Sequence, residues 1–90
     1  MAAKIESPFL DPHRATQVAE QTARFRRAFG RNLRAARINR GLTPEAVSVE
    51  SGVSAATIGA IEDGQMDPPL DTMEALARSI GCTVQTLLPH

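Results

Sequence analysis

Gly41, Gly52, Gly64 and Gly81 each close a segment of helical length, and Thr43, Ser54 and Thr83 each open the next one. This punctuation constrains the fold more than any other feature of the chain. Glycine adopts the left-handed conformation that ends a helix, and a hydroxyl accepts one of the orphan amides at the next start. Pro44 and Glu45 strengthen the start at Thr43, because proline fits the first helical position and an acid suits the positive end of the helix dipole. Leu70 to Glu74 reads as a further start, a capping box with Asp71 as cap and Glu74 three residues on. Asp11 followed by Pro12 reads as the first start. From there Val18, Thr22, Phe25, Phe29, Leu33 and Ala36 advance in steps of three and four, which draws one apolar stripe along a helix. Gly30 interrupts that segment and predicts a division into two helices. Met73, Leu76, Ala77 and Ile80 make a second stripe, and Val84, Leu87 and Leu88 make a short third one before Pro89. No strand alternation and no solenoid repeat is present. The pattern predicts five or six short helices in one all-α domain.

A chain of 90 residues has room for one compact domain and leaves none for a separate ligand-sensing domain. Its core is small, so association with a second copy is a natural source of stability. The sequence holds no Trp, no Tyr and three Phe, which argues against an aromatic pocket and against stacking platforms for single strands. Cys82 is the single cysteine, which excludes an internal disulfide and a cysteine-based zinc site and leaves it as a small core hydrophobe. No apolar run spans a bilayer, and Met1 to Leu10 are too short and polar for a signal peptide, so the expected location is the cytoplasm, with no membrane partner. Net charge is zero but unevenly placed. Up to Arg40 there are nine basic residues against three acids; from Gly41 onward Arg78 alone faces seven acids. The first half therefore suits a polyanion, or offsets the acidic half as a solvated basic face.

The segment from Leu42 to Glu62 holds two short helices joined at Gly52, a helix-turn-helix pattern. Val47, Val53, Ile58 and Ile61 supply the apolar contacts, with Ser48 and Ser51 small where the helices cross. The order Gly30, Leu33, Arg37, Gly41-Leu42-Thr43, Val47, Gly52-Val53-Ser54, Thr57-Ile58, Ile61-Glu62, Gly64, Pro68, Leu76-Ala77 and Leu87-Leu88 resembles the phage-repressor, or Cro/Xre-like, helix-turn-helix family. The resemblance covers Phe29 to Leu88. It implies an all-α, five-helix repressor-like DNA-binding domain at 29–90, here with an additional N-terminal helix at 12–28 behind a flexible arm at 1–11. It also implies a recognition helix that enters the major groove with Ala55, Ala56, Thr57, Gly59 and Ala60. Arg31, Arg34, Arg37, Arg40 and Thr43 become candidates for phosphate contact. Arg37 and Glu62 become a structural ion pair, a job suited to the guanidinium fork.

The chain departs from the family pattern where bases are read. Major-groove readout favours Arg, Lys, Asn and Gln, and among the matching positions Thr57 alone carries a hydrogen-bonding side chain. Pro44 stands where the family often holds a phosphate with Gln, and the loop Asp63 to Asp67 is acidic. Two readings follow. In one, the chain is a DNA-binding transcriptional regulator that acts on double-stranded DNA as a homodimer, with Val18, Thr22 and Phe25 as dimer contacts. In the other, it is a helix-turn-helix-like module that has lost groove binding and meets another protein through its alanine-rich helix. The competing account of the stripe at 12–29 is that the extension folds back on its own domain. His13 and His90 read as residues of terminal loops. No nucleophile motif, phosphate loop or metal-ligand spacing is present, so no enzyme activity, cofactor, metal or small-molecule substrate is expected.

Overall fold

The computed structural model describes residues 11–89; residues 1–10, all but the last of the arm expected at 1–11, and His90 lie outside the described residues. Five helices follow in order: α1 (Pro12–Asn39), α2 (Pro44–Ser51), α3 (Ala55–Glu62), α4 (Leu70–Ile80) and α5 (Val84–Leu87). Among the described residues there is no strand. Helix α1 packs on α3 and α5, α2 packs on α3 and α4, and α4 packs on α5. Helix α3 thus sits between α1 and α2.

The starts form where hydroxyls and prolines predict them. The side chains of Thr43, Ser54 and Thr83 accept the amides of Ala46, Thr57 and Thr86. Asp11 does the same for His13, whose residue therefore lies in the first turn of α1 and not in a loop. One start differs. Helix α4 begins at Leu70 with Pro69 in the cap position and no side-chain cap, and Asp71 Oδ1 accepts the amide of its neighbour Thr72 at 2.8 Å. Pro69 is already extended there (φ −61°, ψ 160°), so the helix starts before Asp71 can cap it. Asp71 still complements the dipole from within the first turn.

Helix α1 is also longer than predicted. It runs 28 residues without a break, so the additional N-terminal helix is the leading half of the first helix. Gly30 does not divide it, because Gly30 lies against α3. A Cβ built on Gly30 would stand 2.3 Å from the Ile61 carbonyl oxygen and 2.7 Å from that of Glu62. The glycine is needed where two backbones meet.

The core comprises Phe29, Leu33, Val47, Ile58, Ile61, Leu76, Ala77, Ile80 and Leu87, all at most 2% exposed. Each large member stabilises the fold by about 1.5–3 kcal/mol on burial. Phe25 packs on the edge of this core and stacks on Phe29 with ring centroids 5.8 Å apart. Phe25 stays half-exposed, so the apolar stripe upstream of Phe29 begins at the edge of the domain's own core. Asn32 Nδ2 donates to the Leu87 carbonyl at 2.9 Å and ties α1 to α5.

Candidate nucleic-acid interface

The turn between α2 and α3 is built from three residues. Gly52 adopts φ 77°, the left-handed region that its missing Cβ permits, and its amide closes on Ser48 O at 2.9 Å. Ser51 Oγ accepts the amide of Val53 at 3.1 Å. Ser54 then extends and caps α3. Ile58 and Ile61 anchor α3 in the core with no exposed surface. Ala56 is exposed, and Ala55, Thr57, Gly59 and Ala60 are half-buried. These five residues therefore make a shallow strip of methyl groups and backbone. The one hydroxyl on it is engaged: Thr57 Oγ1 accepts from Ser54 Oγ at 2.8 Å, which leaves its own proton to donate.

The far end of α3 is clamped to α1. Arg37 Nε and Nη2 donate to the two Glu62 carboxylate oxygens at 2.7 and 2.9 Å, a bidentate pair, and Nη1 donates to the Leu42 carbonyl at 2.8 Å. The two side chains are 11% and 6% exposed. The hydrogen bonds that Arg37 donates to Glu62 raise its guanidinium above its ordinary value and outweigh the opposing effect of burial. A Schellman motif ends α3, with Gly64 donating to Ile61 O and Gln65 to Ala60 O. Gly64 (φ 75°) lies against Arg27; a Cβ on it would come within 3.0 Å of Arg27 Cγ. The loop after α3 is thus seated on α1 beside an exposed arginine.

The phosphate candidates do not share one surface. Arg31 and Arg34 are exposed on the outer side of α1. Arg37 points inward to Glu62 and Leu42. Arg40 lies over Gly81 at the C-terminal end of α4, where a Cβ would come within 2.7 Å of its Nη2. A cation there complements the negative end of the α4 dipole. At 3.6 residues per turn, Arg31 and Arg40 project from opposite sides of α1. Thr43 is exposed at the N-terminus of α2 and uses its hydroxyl oxygen as the cap. Of the proposed dimer contacts, Val18 and Thr22 are half-buried and Phe25 is turned onto Phe29. Sequence reasoning missed the ion pair of Arg26 with Asp67 at 3.3 Å, which joins positions 41 residues apart with no local signal. Among the described residues, no group of His, Cys, Asp and Glu is placed to hold a metal ion, and no helix is long and apolar enough to cross a membrane.

Two short capped helices at a glycine turn, the second clamped by an arginine–glutamate pair, define a helix-turn-helix domain. Residues 28–90 match the family model described as a helix-turn-helix domain, and the chain belongs to this family, in its Cro/Xre-like form. No curated protein matches it in sequence. Among solved structures it is similar to the restriction-modification controller protein C.AhdI from Aeromonas hydrophila. That likeness has a TM-score of 0.68 and 28% identity, covering 70% of this chain and 96% of the other. It is also similar to an HTH_3 family transcriptional regulator from Vibrio cholerae, with a TM-score of 0.71 and 27% identity, covering 73% of this chain and 37% of that one.

Proposed function

We propose that this chain is a DNA-binding transcriptional regulator that binds duplex DNA as a homodimer. The observation that carries the reading is the mounting of α3. It is clamped at its C-terminal end by Arg37–Glu62 and Gly30, and capped at its N-terminal end by Ser54. Its outward strip is exposed at Ala56 and half-buried at Ala55, Thr57, Gly59 and Ala60. A helix held at both ends with a low-relief face suits the major groove, where the Ala methyls meet thymine methyls and Thr57 donates to a base or phosphate. Gly59 and the alanines let the backbone approach closely, so specificity comes from methyl contact and DNA shape. Arg31, Arg34 and Thr43 hold phosphates and fix the register.

The similarity to a restriction-modification controller, nearly all of whose length is matched by this one domain, and to an HTH_3 family transcriptional regulator supports a regulatory role. The leading half of α1, residues 12–28, supplies the dimer contact through Val18 and Thr22, and the dimer sets two recognition helices against two half-sites. Selection of bound sequences from a random duplex pool tests the reading. An enriched, roughly palindromic site supports it; a pool without enrichment contradicts it and leaves the α3 strip to a protein partner. A monomeric mass by light scattering at micromolar concentration contradicts the dimer.

A further inference from the structure

The seven arginines from Arg24 to Arg40 fall into two sets that the sequence does not separate. Arg26 pairs with Asp67, Arg37 with Glu62, and Arg40 lies over the end of α4. Arg24, Arg27, Arg31 and Arg34 are all exposed, and among the described residues none has a carboxylate within 4.0 Å. Their spacing of three, four and three confines them to an arc of about 80° and a length of about 15 Å along the helix. Glu20 continues the arc and ends the basic row at Arg24. Toward the domain, Arg27 stands on Gly64, which places the row beside the loop that leaves the C-terminal end of α3.

We infer that Arg24, Arg27, Arg31 and Arg34 form a ridge that grips the phosphate backbone of duplex DNA without regard to sequence, beside the groove-reading helix. The inference rests on the DNA-binding reading above and extends its contacts to Arg24 and Arg27. Charge complementarity identifies the occupant. About 15 Å of duplex axis carries roughly nine phosphates on its two strands, more than four guanidinium groups need. The ridge also accounts for how so bare a recognition helix obtains affinity: the arginines supply attraction, and the α3 strip supplies only discrimination. Asp63, exposed in the adjoining loop, opposes the ridge, so Asp63→Asn tightens binding.

The test is the salt dependence of binding to a labelled duplex, measured for the whole chain on a selected site and on an unrelated sequence. Each of Arg24→Gln, Arg27→Gln, Arg31→Gln and Arg34→Gln is expected to lower the slope of log affinity against log salt by about 0.9 per protomer. The quadruple variant is expected to lose about 3.6. Between 50 and 200 mM salt that removes roughly a 150-fold change in affinity per protomer, equally on both duplexes. Arg26→Gln and Arg78→Gln remove the same charge away from the ridge and are expected to leave the slope unchanged. Thermal melts confirm folding, since all six side chains lie outside the core. If the unsubstituted chain binds DNA and the four ridge variants keep its slope, the inference is overturned, the DNA reading stands, and the ridge is left to an acidic protein surface. If the unsubstituted chain binds no duplex even at low salt, the DNA reading itself is overturned and the ridge assignment with it.

Discussion

Gly30→Ala and Gly59→Ala make the same chemical change in two helix interiors, and the structure predicts opposite signs. A Cβ at position 30 would stand 2.3 Å from the Ile61 oxygen and 2.7 Å from the Glu62 oxygen, both backbone atoms. An ordinary carbon–oxygen contact is about 3.3 Å, so α1 and α3 must separate by about 1 Å. The separation falls between Phe29 and Leu33 on one side and Ile58 and Ile61 on the other, none of them exposed. It also stretches the Arg37–Glu62 pair. Overpacking of this kind costs about 1–3 kcal/mol, and because backbone cannot swing aside as a side chain would, the upper part of that range, about 2–3 kcal/mol, applies here. Against it stands the helix preference for Ala over Gly, about 1 kcal/mol. The cost is expected to win by about 1–2 kcal/mol, a fall in melting temperature of roughly 5–15 °C for a domain of this size. At position 59 nothing lies within 4 Å of the added methyl. Gly59→Ala therefore keeps only the gain and is expected to raise stability by about 0.5–1 kcal/mol. Thermal unfolding followed by far-UV circular dichroism measures both. A Gly30→Ala variant as stable as the parent would refute the close approach of α1 and α3. Destabilisation by Gly59→Ala would refute the open face of α3.

Glu62→Ala leaves the Arg37 guanidinium buried without its carboxylate and is expected to cost about 3 kcal/mol in chemical denaturation; replacing both partners by Met is expected to recover most of that loss. Ser54→Ala removes the acceptor for the Thr57 amide and is expected to cost about 1 kcal/mol, read from the same curves. Burial pushes the Cys82 thiol above its ordinary value, and the nearby Arg40 charge only partly opposes this. The folded chain therefore holds the thiol proton to higher pH than the unfolded chain. Its contribution is complete below the unfolded thiol's pKa, about 8.5, and is lost as pH rises through the folded value. Stability is thus expected to fall between pH 8 and 10 by more in the parent than in Cys82→Ala, and equal slopes would count against the burial of the thiol.

The local grammar of this chain was legible because its signals act over four residues or fewer. Thr43, Ser54 and Thr83 cap the helices they precede, and each cap needs only the amide three residues on. The apolar spacing in α3 and α4 places Ile58, Ile61, Leu76, Ala77 and Ile80 inside. What escaped was set by distant partners. A mid-helix glycine carries the same sequence signal whether it breaks a helix or admits a neighbouring backbone, and only the carbonyls of Ile61 and Glu62 decide for Gly30. Asp71 looked like a cap until the extended Pro69 started α4 earlier. The seven arginines from Arg24 to Arg40 looked alike until Asp67, Glu62 and Gly81 engaged three of them. The stacking of Phe25 on Phe29 at the edge of the core has no signal beyond the stripe itself, and it leaves Phe25 half-exposed. For the candidate site, the sequence named the residues of the α3 strip, and the structure supplied how that strip is mounted.

Entry of α3 into the groove of duplex DNA with its Ala55–Ala60 strip is what separates a DNA reader from a protein-binding module. The most direct measurement is an amide and methyl chemical-shift titration of the labelled chain with a duplex recovered by selection. The largest changes are expected at the methyl groups of Ala55, Ala56, Thr57 and Ala60 and the amide of Gly59, with Met73, Leu76 and the rest of α4 little affected. Shifts confined to the arginine face of α1, with the α3 strip unmoved at saturation, would contradict it.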